Sequence, residues 1–337
     1  MLGLHRRGRS NRLPRLRAVR LACEAIRRRR TYELETLVPR VALATYDPGA
    51  QPSKDRDLPG LVRALREAGA EAVAVAWDDP GTDWGAFDLV VIRSTWDYSW
   101  RAGEFVAWAR KVAGLTRLAN PAEVVRWNTD KRYLGDLAAA GVPVVPTRYL
   151  APGDTPELPT DREYVVKPAS GAGARYAARY TPDDHDTALR HLARMHEEGL
   201  TAMVQPYLNG IDVSGERALQ FFGGRFLHAG RKGAVLAPGT AYDAAKVAHP
   251  DLVPWTPTPA ELALAERALA AVPDAPELLY ARVDVVDGED GRPLLMELEL
   301  VEPNLFLDLH PGSLAVVRDA ILAAARWSSP GAGSVGP

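Results

Sequence analysis

The 337-residue chain is 47% hydrophobic and 25% charged with a formal net charge of -2, which fits a soluble globular protein of two or three domains and argues against a nucleic-acid partner. Its one cysteine, Cys23, rules out a disulfide framework or a cysteine zinc cluster and fits a reducing cytoplasm. The longest apolar runs are of strand length, so no membrane span is expected.

Residues 1–38 are crowded with arginine, Arg27 to Arg30 forming an unbroken run, and they lack the apolar core of a secretory signal. The stretch reads as a disordered extension, as residues upstream of the true start, or as a tail steering to anionic surfaces, with the compact fold beginning near Val38. Val41 to Thr45 then predicts a strand, broken by the turn residues that follow. Asp57 to Gly69 predicts an amphipathic helix, with Leu58, Leu61, Val62 and Leu65 on one side. Ala72 to Trp77 and Asp88 to Arg93 read as strands and Ala102 to Val112 as a helix, so residues 39–121 form a small doubly wound α/β domain. Ligands in such sheets lie beyond the carboxyl ends of strands. Arg93, Ser94, Thr95, Trp96, Asp97 and Tyr98 take that place after the third strand and suit a small polar substrate, unless Trp96 and Tyr98 merely cover the sheet end.

Asn120-Pro121 marks the next boundary. Val124 to Ala140 reads as one helix ending at Gly141, with Lys131 on it. Tyr164 to Pro168 and Ala202 to Leu208 are strands, Asp184 to Glu198 is a helix, and Glu216 to Phe222 turns through Gly223-Gly224 into a hairpin. These divide into a central part at 122–200, a C-terminal part at 201–325 and a flexible tail at 326–337. Lys167 ends its strand just before the small-residue loop of Ser170, Gly171 and Gly173. Such glycines let backbone amides approach phosphate oxygens, although the loop taken alone is equally an ordinary turn, and no Gly-Lys-Ser/Thr follows as in a Walker loop.

Tyr280 to Asn304 predicts two strands joined by the turn Asp287 to Arg292. Period two places Arg282 with Asp284, and Glu297 with Glu299. If these faces meet, three carboxylates and a guanidinium converge, and burying them calls for a hard divalent cation such as Mg²⁺, which keeps phosphate oxygens as ligands. The plainer alternative is an edge hairpin with a solvated acidic face.

The order of Lys131, Lys167, the glycine loop, Gln205-Pro206-Tyr207-Leu208, Glu216, Arg231-Lys232, Arg282, Asp284, Glu297 and Glu299 resembles the ATP-grasp superfamily over Ala122 to about Leu322. The expected fold class is therefore mixed α/β and α+β, an ATP-grasp fold preceded by the small doubly wound domain. More narrowly, Val91 to Tyr98, Arg126 to Lys131 and Met296 to Pro303 are similar to the branch containing the O-ureido-serine cyclo-ligase of cycloserine biosynthesis. The resemblance implies that Lys131 and Lys167 meet ATP phosphates and the adenine side, and that the loop from Ser170 to Tyr176 closes over the phosphates. It implies that the main chain from Pro206 to Leu208 reads adenine, and that Glu216, with Asp212 as a rival, holds the ribose. Arg282 would face the γ-phosphate and a forming acyl phosphate, Arg231 and Lys232 would place the substrate carboxylate, and Asp284, Glu297 and Glu299 would hold two Mg²⁺, with Mn²⁺ as a substitute. Glu297-Leu298-Glu299 departs from the Glu-x-Asn of many such ligases. Asn304 is a weak further candidate, and His310 could line the substrate pocket. The implied activity is ATP-dependent carboxylate-amine ligation of a small molecule, by ring closure within one substrate. The alternatives are an intermolecular amino-acid or peptide ligase and a non-catalytic ATP-binding regulator. Many relatives are dimers or tetramers, but no stretch here identifies a homo-oligomer interface.

Overall fold

Strands buried on both faces read as unbroken apolar runs, and β1 (Arg40–Thr45) is one, its last five residues wholly inside. The computed structural model describes residues 38–49, 54–171, 176–237, 239 and 252–326; the basic stretch before residue 38, Gly173 and the expected tail beyond residue 326 lie outside them. After β1 come α1 (Leu58–Glu67), β2 (Glu71–Ala76), β3 (Leu89–Ser94), α2 (Ala102–Leu115) and β4 (Arg117–Ala119). Gly69, at φ +89°, turns the chain out of α1 in a conformation that only glycine adopts without strain. The four strands form one parallel sheet in the order β2-β1-β3-β4. Alternate side chains go to opposite faces: Ala42, Ala44, Val90 and Ile92 pack on Phe105, Trp108 and Val112 of α2, while Val41, Leu43, Leu89 and Val91 meet Leu58, Leu61 and Leu65 of α1.

The chain continues through α3 (Ala122–Asn128), α4 (Tyr133–Ala139), β5 (Arg148–Leu150), β6 (Tyr164–Pro168), β7 (Ala178–Tyr180), α5 (His185–Glu197) and β8 (Ala202–Pro206). The antiparallel sheet β5-β8-β6-β7 carries α5 on its face through Ala188, Leu192 and Met195. Because β8 lies inside this sheet, the division expected at 200/201 falls one strand early. A second antiparallel sheet follows α6 (Gly210–Ser214) and runs β11-β10-β9-β12-β13. It comprises β9 (Glu216–Phe222), β10 (Arg225–Lys232), β11 (Leu252–Trp255), β12 (Tyr280–Asp287) and β13 (Pro293–Glu299), with α7 (Pro259–Ala270) between β11 and β12. The last helix, α8 (Ser313–Arg326), returns to the first sheet, where Val317, Ile321 and Leu322 join the cluster under α1. No helix among the described residues is long and apolar enough to cross a membrane.

The helix expected over Val124–Ala140 is two helices. Asn, Thr and Asp at 128–130 compete for backbone hydrogen bonds and so tolerate a break, and tertiary bonds fill it. The Lys131 amide donates to the Ala169 carbonyl at 2.8 Å, and the Tyr149 hydroxyl donates to the Lys131 carbonyl at 2.8 Å. The Asn128 side chain acts as a further strand beside β13, donating to the Leu298 carbonyl and accepting from the Leu300 amide, both at 2.8 Å. Asn120 does the same at the joint between the first sheet and the last. Its amide nitrogen donates to the carbonyls of Tyr280 at 2.9 Å and Leu300 at 2.8 Å, and its oxygen accepts from the Leu279 amide at 2.8 Å. Asn120 is fully buried, so Asn120→Ala strands three backbone groups away from water. The expected loss is roughly 3 kcal/mol or more in urea unfolding, at about 1–3 kcal/mol per orphaned group; a loss below about 0.5 kcal/mol would mean that water replaces the amide.

Candidate active site

The two faces of the last hairpin do meet. Arg282 lies opposite Glu299 and Asp284 opposite Glu297. The Arg282 guanidinium grips both oxygens of Asp284 at 2.9 Å and also donates to Glu299. Lys232, the last residue of β10, donates to Asp284 at 2.8 Å and to Glu216. Lys131, at the break between α3 and α4, sits 3.1 Å from Glu297 and donates to the Gly171 carbonyl at 2.6 Å. Lys167 comes from β6 of the facing sheet, and its ammonium lies 4.0 Å from the Met296 sulfur. Lysines and carboxylates from both antiparallel sheets thus line one cavity of about 790 Å³.

Burial would drive every one of these groups toward its neutral form, and the neighbours decide which gives way. Asp284 is pulled well below the usual carboxylate range because Arg282 and Lys232 outweigh its burial. Glu297 is lowered, its burial overcome by Lys131 and Lys167. Burial pushes Glu299 up to about 8, with Arg282 opposing the rise and Glu297 and Asp284 adding to it. Lys232 is held above its ordinary value by Asp284 and Glu216 despite burial, and Lys131 likewise by Glu297. Burial lowers Lys167, partly offset by Glu297. One oxygen each from Asp284, Glu297 and Glu299 lies within 4.8 Å of the others, an all-oxygen donor set with one carboxyl still favouring its proton. That set fits a hard divalent cation such as Mg²⁺.

Not every residue singled out from the sequence reaches the cavity. Lys131, Lys167, Gly171, Gln205, Pro206, Tyr207, Glu216, Lys232, Arg282, Asp284, Glu297, Glu299 and Asn304 line it. Gly173 lies outside the described residues. The Ser170 hydroxyl is buried away from the lining, and Leu208 packs with Val145 and Val286. Asp212 accepts from Arg179 at 3.2 Å and from the Tyr207 hydroxyl, whereas Glu216 faces the cavity. Arg231, neighbour to the inward Lys232, is turned by strand alternation to the other face, opposite Arg217. His310 stacks on His228 with ring centroids 5.0 Å apart, outside the lining.

Of the six residues from Arg93 to Tyr98, which end β3 and follow it, Trp96 alone lines the cavity. The others fasten the first sheet to the chain beyond β13 or fill its core. Buried Arg93 donates to the Pro303 carbonyl at 3.0 Å and lies 3.4 Å from Asp55. Ser94 pairs with Thr45 at 2.8 Å, and Thr95 is fully buried. Asp97 accepts from Trp77 at 3.0 Å and from Arg101 at 2.7 Å, and Tyr98 stacks on Phe105 at 4.8 Å. The sequence reading missed Lys54, Arg56, Asp57, Glu302, Phe306 and Asp308, which complete this end of the cavity. The rule that sheet ligands sit beyond strand carboxyl ends applies equally to β1 and would have pointed to Lys54–Asp57.

Two antiparallel sheets facing across a cleft of lysines and acids, with an α/β domain ahead of them, define an ATP-grasp ligase. D-alanine–D-alanine ligase from Bacillus anthracis, solved with ATP, shares this fold at a TM-score of 0.61 and 17% identity, over 86% of this chain and 97% of that one. Residues 41–120 match the family model described as D-cycloserine synthetase DcsG, N-terminal domain. Cycloserine biosynthesis protein DcsG from Streptomyces lavendulae is 40% identical over 274 residues, spanning 75% of this chain and 88% of that protein. The crystal structure of D-cycloserine synthetase DcsG superposes with a TM-score of 0.76 at 36% identity, over 85% of this chain and 99% of that one. The chain belongs to the D-cycloserine synthetase family of ATP-grasp ligases.

Lys232 is 2% exposed and serves both Glu216 and Asp284, so Lys232→Met leaves two carboxylates short of a counter-charge. The expected cost is about 3 kcal/mol in urea unfolding, with added Mg²⁺ raising the thermal midpoint of the variant more than that of wild type. Equal stability of the two proteins would show that the lysine is dispensable to the acidic cluster.

Proposed function

We propose that the protein uses ATP to close a ring within a single small substrate, joining its carboxylate to its own nitrogen, as in conversion of O-ureido-D-serine to cycloserine. The reading is supported above all by one combination: a 40% identical relative named for cycloserine biosynthesis, and a single cavity that takes in Lys131, Lys167, Arg282 and the Asp284, Glu297 and Glu299 acids.

ATP lies with its adenine between the apolar side chains of Val165, Ile211 and Met296, which line the cavity, and beside the main chain after Gln205. Glu216 takes the ribose hydroxyls. Lys131 and Lys167 take phosphate oxygens, trading their present hold on Glu297 and its surroundings for the greater negative charge of the nucleotide. Asp284, Glu297 and Glu299 would hold two magnesium ions, for which Mn²⁺ would substitute. The ions supply neutralisation of the charge spread over the transferring phosphoryl group. Arg282, locked in place by Asp284 and Glu299, presents fixed positive charge where the substrate carboxylate attacks the γ-phosphorus to give ADP and an acyl phosphate. A nitrogen of the same molecule then displaces phosphate; with O-ureido-D-serine the carbamoyl group on that nitrogen leaves, with one water, as carbon dioxide and ammonia to give cycloserine. Holding both groups in a closed, water-poor cavity favours ring closure over hydrolysis.

With Mg²⁺, ATP and O-ureido-D-serine, wild type is expected to release ADP and phosphate in step with a cyclic product. Glu297→Gln is expected to lose about 100-fold or more of that rate. Turnover only when two separate amino acids are supplied would replace ring closure by intermolecular ligation. Tight ATP binding without turnover on any acid would leave a non-catalytic nucleotide-binding protein.

A further inference from the structure

The cavity that contains Arg282 and Glu299 extends to Lys54, Arg56 and Asp57 after β1, and to Asn304, Phe306 and Asp308 beyond β13. Gln220 stands directly opposite Arg282 on the neighbouring strand β9, so the two side chains rise on the same face of the sheet. The Gln220 side-chain nitrogen donates to the main-chain oxygen of Asn304 at 2.7 Å. Two residues on, the Arg282 guanidinium carbon lies over the Phe306 ring, 5.6 Å from its centroid. Phe306 itself holds φ at +53° and ψ at +45°, a left-handed conformation that a bulky residue rarely adopts. Such strain persists only where the surrounding contacts over-determine it, and it gathers at functional sites. The segment from Asn304 to Phe306 is thus pinned beside Arg282.

The Asn304 side chain is half-buried in the cavity lining and has no hydrogen-bond partner among the described residues. A carboxamide offers an acceptor and a donor side by side, whereas the charged groups at this end offer one or the other: Lys54 and Arg56 donate, and Asp57 and Asp308 accept. Gln205, the other carboxamide in the lining, already commits its nitrogen to the Thr147 hydroxyl at 2.8 Å. A neutral ligand group with donor and acceptor side by side therefore finds its match in Asn304. The carbamoyl end of a ureido group is such a group. Two parallel hydrogen bonds from it to Asn304 leave its inner N–H free to face the carbonyl carbon activated beside Arg282.

We propose that Asn304 receives the carbamoyl group attached to the attacking nitrogen and thereby favours ureido substrates over those bearing a bare aminooxy group. The proposal rests on the ring-closing reading above, and it makes Asn304 a specificity residue, separate from the acids that hold the ions.

The test compares O-ureido-D-serine with O-amino-D-serine, the same compound without its carbamoyl group, in wild type and in Asn304→Ala. Both substrates give cycloserine with release of ADP and phosphate, the ureido compound after loss of its carbamoyl group. Asn304→Ala is expected to lose about 30-fold in kcat/KM for the ureido compound, the effect of two neutral hydrogen bonds, and about threefold or less for the amino compound. KM for ATP and the urea midpoint are expected to be retained. Because the aminooxy nitrogen is the stronger nucleophile, the readout is the change in the ratio of the two substrates between wild type and variant. Asn304→Asp keeps the shape and the acceptor but removes the donor, so it is expected to lose at least as much on the ureido compound as Asn304→Ala. An equal loss on both compounds would assign Asn304 to the part the substrates share or to the nucleotide. No loss on either, or full ureido activity in Asn304→Asp, would assign it to packing. Each of these results overturns the proposal, while turnover of the ureido compound by wild type keeps the ring-closing reading. A wild type inert with the ureido compound overturns both.

Discussion

Asp284 is 1% exposed and shares its surroundings with Glu297, Glu299 and Glu216, an arrangement that would not survive burial without the guanidinium and the ammonium that hold it. Arg282 grips Asp284 from the same strand, β12, and Lys232 reaches it from β10 across the intervening β9, so the Lys232 pair needs the sheet in register before it can form. Lys131 and Lys167 close on Glu297 from the other direction, one from a helix break and one from the middle sheet. The charge cluster thus depends on every layer of the last two thirds of the chain. The layers in turn are fixed by buried amides, Asn120 and Asn128, that supply strand-like hydrogen bonds where no strand is present. Buried ion networks of this kind contribute little net stability. Their retention here is accounted for by what they leave behind, three carboxylate oxygens gathered within 4.8 Å of one another.

The last hairpin was legible in advance because alternation is a strong local signal, but the pairing of Arg282 with Glu299 depends on a register shift between Asp284 and Val285 that neither the alternation nor the turn announces. The first sheet was legible for the same reason, since its helices and strands carry clean periodicities of 3.6 and 2. The destination of Ser313–Arg326 was not. An amphipathic helix states that it has an apolar face but not which sheet will cover that face. The break between Asn128 and Tyr133 was equally hidden, because no proline or glycine marks it and the bonds that fill it come from Ala169 and Tyr149, far along the chain.

The same contrast holds at the site. Arg93 through Tyr98 have the composition of a recognition loop and the right place in a doubly wound sheet. The chain beyond β13 covers that place, and Arg93 and Trp96 bind its carbonyls at Pro303 and Glu302. Long-range cover of this sort leaves no trace in local pattern. It also transfers the approach to the cavity from the end of β3 to the segment after β1, where Lys54 and Arg56 are spaced without any period.

The central claim is that three carboxylates on one hairpin form an ion-dependent nucleotide site. Calorimetric titration of ATP with and without Mg²⁺, in wild type and in Asp284→Asn, tests it most directly. Wild type should bind ATP about tenfold or more tightly with Mg²⁺ than without, because the ion supplies the charge that the carboxylates and phosphates both lack, and Asp284→Asn should lose most of that difference. The same magnesium dependence in both proteins, or none in wild type, would contradict the account.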